Sequence, residues 1–279
     1  MKSIAFNCCS VGLAACIACT NPAFAETRSV STVGRAVVAA ELTLDQAKHN
    51  ALSQARALAV EQAAGVTVSS VALLQDSMIV SDLVQTLAYG FIVRENATAW
   101  SGSWATETKS GELGYPVVEV KLDAVVDVRP KQFFRNDLLK VQLDKATYRD
   151  GETGNLQIEA KEDLAILVVN YTAKSSIVPI FPYTKGQANT VAKGGVLKLP
   201  TTAADGWDIV MHNYAGHERD AEAFIVLGFP SNAQTDGIAW EKLFVPGAEI
   251  PYATFFEQLL SLPLDWIAQQ TVVYTVVRE

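Results

Sequence analysis

Residues 43–65 read TLDQAKHNALSQARALAVEQAAG. Thr43 and Gln46 stand three apart as a capping box, in which the Thr43 hydroxyl accepts from the Gln46 backbone while the Gln46 side chain reaches back. A helix is predicted to start there, and Gly65 supplies the left-handed position that ends it. Leu44, Ala47, Ala51, Leu52, Ala55, Leu58, Ala59 and Ala63 recur at spacings of three and four, with Asp45, Lys48, His49, Gln54, Arg56 and Glu61 opposite them as a solvated face. Alanine carries little bulk, so the apolar face is expected to lie close against a sheet whose residues supply the volume.

That sheet is legible further on. Val118, Val120, Leu122, Ala124, Val126 and Val128 alternate with Glu119, Lys121, Asp123 and Asp127, the pattern of a half-buried antiparallel strand with its charges toward solvent. Residues 89–108 carry Phe91, Val93, Trp100 and Trp104, with turn signals at Ser101-Gly102-Ser103 and Ser110-Gly111, and read as a hairpin onto that strand. Trp100 and Trp104 share one strand face, and core packing is their expected use, with a partner platform as the alternative. Val37 and Val38 close the sheet as an early strand, while residues 72–88 fit helix and strand equally.

Pro130 ends the alternating strand, and the polar 131–136 segment reads as a linker. Beyond it, short strand patterns recur about every ten residues, at 140–143, 156–160, 164–171, 177–181, 196–199, 207–214 and 223–229, with Gly-containing turns between them. A helix over 252–262 groups Phe255, Phe256, Leu259, Leu260 and Leu262 on one side, and 271–277 is a closing strand. The fold class is therefore α+β: residues 26–130 form one Ala-rich helix on an antiparallel sheet, and residues 136–279 form a mostly-β, sandwich-like domain with one late helix.

The first 25 residues have the form of a secretion signal. Met1 and Lys2 open it, 4–18 are mostly apolar or small, and Ala23-Phe24-Ala25 places small residues where signal peptidase needs them before Glu26. The alternative is a lipoprotein signal, since Leu13-Ala14-Ala15-Cys16 has the lipobox form and would put a lipid on Cys16. All four cysteines lie in this segment, so removal after Ala25 leaves a chain without thiols, which suits an oxidising compartment. The expected location is periplasmic or secreted, or anchored to the outer membrane through Cys16.

The balance of 22 Lys plus Arg against 30 Asp plus Glu gives a net charge of −8, which disfavours nucleic acid and anionic lipid as partners. No G-x-S-x-G elbow, P-loop, dinucleotide fingerprint or H-E-x-x-H pair occurs. His212 and His217, among Asp205, Asp208, Glu218 and Asp220, are the one constellation that would suit a metal-dependent hydrolase, against which stands their placement as ordinary residues flanking the 214–216 turn. His49 reads as solvated. Trp207, Tyr183 and Tyr214 would line one end of the sandwich in a small-ligand or glycan-binding protein. The leading expectation has no catalytic residue, metal or cofactor: a non-enzymatic module that binds other envelope proteins, with no transmembrane segment after the leader.

Two resemblances bear on this. Tyr148-Arg149-Asp150-Gly151-Glu152, a strand ending in Ile180-Phe181-Pro182, and Gly195 followed by Pro200 resemble the domain-of-unknown-function family 4384, a β-rich module of bacterial exported proteins. The chain departs from it at Tyr183, where the family usually has Asn, and in an extra loop over 231–251. The first domain, by its strand, Ala-rich helix and meander through Gly90, is similar to the N-terminal domain of flagellar assembly protein T and to LPP-type envelope lipoproteins. That likeness implies a periplasmic assembly or ring-forming role, with homo-oligomers as partners.

Overall fold

In the computed structural model, which describes residues 26–38, 42–67, 76–105, 115–184, 187–200, 207–231, 245 and 247–278, the first helix starts at its capping box. Helix α1 (Leu44–Ala64) has Thr43 accepting from the Gln46 backbone at 3.2 Å, while the Gln46 side chain accepts from Thr43 at 2.8 Å. Gly65, at φ 71°, closes it by donating to the Glu61 carbonyl. Residues 1–25, read above as a secretion signal and including Cys16, Ala23 and Ala25, lie outside the described residues.

α1 rests on a three-stranded antiparallel sheet built from β1 (Glu26–Val37), β2 (Gly90–Ala105) and β3 (Tyr115–Val128), in the order β1-β3-β2. The approach is as close as the alanines imply. A Cβ added at Gly34 of β1 would stand 1.9 Å from the Ala51 carbonyl oxygen and 2.8 Å from Ala55 Cβ, so only glycine fits under the helix there. Val118, Val120, Leu122, Ala124 and Val126 of β3 are buried beneath it. Asp127 departs from the solvated face, being buried and paired with Arg129 at 2.6 Å.

The ambiguous 72–88 stretch contains a second helix, α2 (Asp76–Thr86), which buries Val80 and Leu83. Ser101-Gly102-Ser103 is not a turn. It continues β2, pairing with Glu119, Val118 and Val117, because the ladder to β3 runs unbroken there and the strand's irregularity is taken up by two earlier register shifts. Ser110-Gly111 lies outside the described residues.

The second half is built on a large sheet. Its strands are β5 (Thr147–Arg149), β8 (Leu164–Tyr171), β9 (Ser176–Phe181), β10 (Thr190–Val191), β13 (Arg219–Pro230), β14 (Ile250–Pro251) and β15 (Ala268–Val277), in the order β14-β9-β8-β13-β15-β5 with β10 beside β8. All pairs are antiparallel except β15 with β5. Against one face packs a smaller sheet, β4 (Leu139–Leu143), β7 (Leu156–Ala160) and β11 (Val196–Leu199), while β6 (Glu152–Gly154) pairs with β12 (Ile209–Met211). Ile158, Ile166, Val168, Phe224, Val226 and Val276 fill the space between the sheets. This is the expected sandwich; the strands not marked in the sequence are β5, β6, β10 and β14, each of two or three residues.

The other face of the large sheet meets the first half. Leu167, Val169, Ile225, Leu227 and Phe229 share one apolar core with Val60, Leu83, Phe91 and the helix α3 (Tyr252–Leu260). Coverage of both faces explains why every residue of β8 is buried and why its sequence is a continuous apolar run. The 131–136 segment is not a solvated linker: Phe133 is buried in this core under the Arg129 guanidinium, and Phe134 bridges to Ile267. Two adjacent phenylalanines outweigh the polar residues around them. Among the described residues, no helix is long and apolar enough to cross a membrane.

Candidate functional site

Of the six residues of the α1 polar face expected in water, three are buried, while Asp45 is exposed and Lys48 and Gln54 are half-buried. His49, Arg56 and Glu61 are all less than a tenth exposed, and the turn between β8 and β9 covers the first two through Ser175. Ser53 Oγ lies 2.7 Å from the Tyr171 hydroxyl. The Arg56 guanidinium grips Glu95 of β2 through two parallel bonds of 2.9 and 2.6 Å, and donates at 3.2 Å to both the Tyr171 hydroxyl and the Ser175 carbonyl. It also lies 4.4 Å from the Tyr252 ring centroid. Burial alone would lower its pKa, yet the Glu95 carboxylate and the neighbouring tyrosines hold it above the ordinary arginine value. One side chain of α1 thus ties β2, β8, the β8–β9 turn and α3 together.

The turn is itself firmly held. Ser175 has φ 64°, a left-handed conformation uncommon for a residue with a Cβ. Its amide donates to the Thr172 carbonyl at 2.9 Å, and the Thr172 and Ser176 hydroxyls meet at 2.7 Å. From the sheet side, buried Glu222 accepts from the Ala173 amide, the Asn170 side chain and the Tyr274 hydroxyl. Burial pushes the Glu222 carboxyl up despite those three bonds.

His49 is the unusual member. Its Nδ1 lies 2.6 Å from Ser175 Oγ, while its Nε2 is buried without a hydrogen-bond partner. Burial first, then the Arg56 cation and His217, push the imidazole pKa down to about 3. The ring is therefore neutral at physiological pH. A Ser–His pair invites a nucleophilic reading, but a base this weak has little drive to take the Ser175 proton.

His49 and Ser175 lie at the floor of a cleft of about 540 Å³ whose rim carries Lys48, Trp100, Lys174 and Tyr214. Lys48 Nζ is 6.0 Å from the Trp100 ring centroid, and Lys174 Nζ is 4.1 Å from that of Tyr214. Trp100 is 43% exposed, which corrects its expected place in the core. It pairs across the sheet with buried Val120 and so stands on the helix side, but at the margin of α1, whose first turns leave it open. Trp104 pairs with Pro116, and its side chain lies outside the described residues.

The histidine constellation does not converge. His212 Nδ1 is exposed and meets Asp150 at 3.1 Å, whereas His217 Nδ1 is buried against Asp220 at 2.6 Å. Asp220 accepts in addition from the Tyr214 amide at 2.8 Å, so this carboxylate fixes the 213–217 turn. Asp208 and Glu218 are exposed, and Asp205 lies outside the described residues. Among the described residues no three His, Cys, Asp or Glu side chains group as metal ligands.

Of the aromatic trio, Tyr183 and Trp207 stack at 4.9 Å. Tyr214 follows the other end of β12 and joins the cleft instead. Glu26, the residue after the expected cleavage point, is the first of β1 and pairs with Val128. Ser175, Tyr171 and Tyr252 were not marked in the sequence as site residues. The available signal was α1 itself, whose alanines, Ala57 included, run round the helix and leave no bulky face for solvent.

No family model matches the chain, and no curated protein matches it. The two resemblances therefore rest on the motifs that carry them.

Proposed function

We propose that the chain is an exported, non-catalytic protein of the bacterial envelope that works by binding another envelope protein, and that the cleft between α1 and the β8–β9 turn is its recognition site. The observation that carries this reading is the division of labour at the cleft. Behind it His217 is paired with Asp220 and Arg56 with Glu95, whereas the lining also presents an exposed tryptophan together with Lys48 and Lys174. Aromatic and cationic side chains around a concave surface are the usual anchors of protein recognition.

The export half rests on the leader and on the start of β1. Cleavage after Ala25 leaves Glu26 and the whole 12-residue strand on the mature chain. Acylation at Cys16 would instead leave 16–25 as a spacer between lipid and sheet. The lipid-anchored form and the assembly role implied by the flagellar resemblance belong to the same reading.

Two measurements in the native cell test it. Mass spectrometry of the mature N-terminus distinguishes Glu26 from acylated Cys16, and an intact Met1 form in the cytosol overturns export. A photo-crosslinking residue at Trp100 should join the chain to an identified envelope protein, while the same residue at exposed Asp208 should not. Equal adducts at both positions, or none at Trp100, overturn the assignment of the site.

A further inference from the structure

We propose that the cleft recognises an acidic peptide segment, with a carboxylate set at its floor beside His49, Lys48 and Lys174 and the adjacent apolar side chain lying on Trp100. This deepens the binding reading above and rests on it.

The floor carries the most specific signal. A buried polar atom without a partner is uncommon, since it has given up its bond to water and gained none in return. His49 Nε2 is such an atom, in a side chain 7% exposed that lines the cleft. The neutral ring has two arrangements. Either Nδ1–H donates to Ser175 and Nε2 is an acceptor, or the Ser175 hydroxyl donates to Nδ1 and Nε2–H is a donor. The two ammonium groups at the same cleft favour an anion, and a negative charge beside the ring favours the second arrangement, with the proton on Nε2.

A carboxylate joined to an apolar group fits better than a bare ion. Trp100 offers a large apolar face at the rim, and Leu52 also lines the cleft. The space exceeds what one small ion fills and matches a site for a few residues of chain. Asp45 in the lining and Glu249 behind Tyr214 set the selectivity. Asp45 stands 3.8 Å from Lys48, so an incoming carboxylate competes with it for that ammonium, and Glu249 accepts from the Tyr214 hydroxyl at 3.2 Å. An acid therefore needs the tryptophan contact as well as the lysines, which disfavours acetate or phosphate alone.

The test uses the mature chain and a random heptapeptide display library. Selected binders should be enriched in Asp or Glu next to an aromatic or large aliphatic residue. Replacing that acid by its amide should weaken binding at least tenfold, as should Lys48→Ala/Lys174→Ala or Trp100→Ala in the protein, each checked for an unchanged circular dichroism spectrum. The selected peptide should also move the His49 Nε2 nitrogen resonance, which acetate or inorganic phosphate at the same concentration should not. Binders without acid enrichment, affinity untouched by these variants, or a His49 shift reproduced by acetate would each overturn the proposal. If Trp100 crosslinks to an envelope protein in cells while the library yields no acidic binder, the peptide chemistry is wrong and the binding site stands. If neither occurs, both fall.

Discussion

The sandwich interior and the seam along α1 are both buried, yet they are held by different forces. Between the two sheets of the sandwich the contacts are chiefly apolar, Ile158, Ile166, Val168, Phe224 and their neighbours, with Tyr274 among them bonded to buried Glu222 and Asn170. At the seam the same depth of burial holds an arginine, a histidine, a serine and a tyrosine whose hydrogen bonds run from α1 to the β8–β9 turn. An apolar core tolerates many packings of about the right volume, while directional bonds between buried polar groups admit few. The seam therefore fixes one orientation of α1 against the sandwich, and the cleft, made of residues from both sides, depends on that orientation.

The largest expected effect separates the two regions directly. Glu95→Ala leaves the Arg56 cation buried without its acid and should lower stability by about 3–5 kcal/mol in denaturant titration. Replacing both partners, as Arg56→Met with Glu95→Leu, should recover most of that loss. Equal damage from the single and double variants would show that the pair is not a unit. In the sandwich, Ile158→Ala should cost about 3 kcal/mol through its cavity, by the same amount at pH 5.5 and pH 8.

The seam should differ by responding to acid. An unfolded imidazole takes up its proton near pH 6.5, whereas the folded His49 does so only at about 3. The unfolded state thus binds more protons between those values, and the stability His49 allows above pH 6.5 is lost as pH falls, at up to about 1.4 kcal/mol per unit. His49→Asn, which keeps an amide near Ser175, should flatten that slope relative to the natural chain. Glu222, whose carboxyl is shifted upward, titrates in both proteins and drops out of the difference. An unchanged slope would show that His49 takes up its proton as readily in the folded state as in the unfolded one. The smallest effect is expected at the rim, where Trp100→Ala should change stability by no more than about 0.5 kcal/mol, marking that side chain as available for recognition.

Much of the fold was readable because it rests on local rules. The Thr43–Gln46 capping box, the Gly65 stop, the alternation along β3 and the run of sandwich strands with the late helix all follow from spacing and turn chemistry, and the structure has them. The candidate site was less legible. Trp100 and Tyr214 were singled out, but as core and as one end of the sandwich. His49 was assigned to water, and Ser175 carries no local signal at all. The reason is that these residues acquire their roles from a surface that only the folded chain brings to them.

By itself the sequence determined a helix of small residues on an alternating sheet and a sandwich after it, since each depends on neighbours within a few positions. The tertiary structure alone decided that His49, Arg56 and Glu61 of α1 are interior, that the two histidines of the 212–220 hairpin part company, and that His49 and Ser175 meet across 126 positions of chain. Burial and long-range contact are properties of packed surfaces, and a helix with small residues on every side does not announce which face another element will cover.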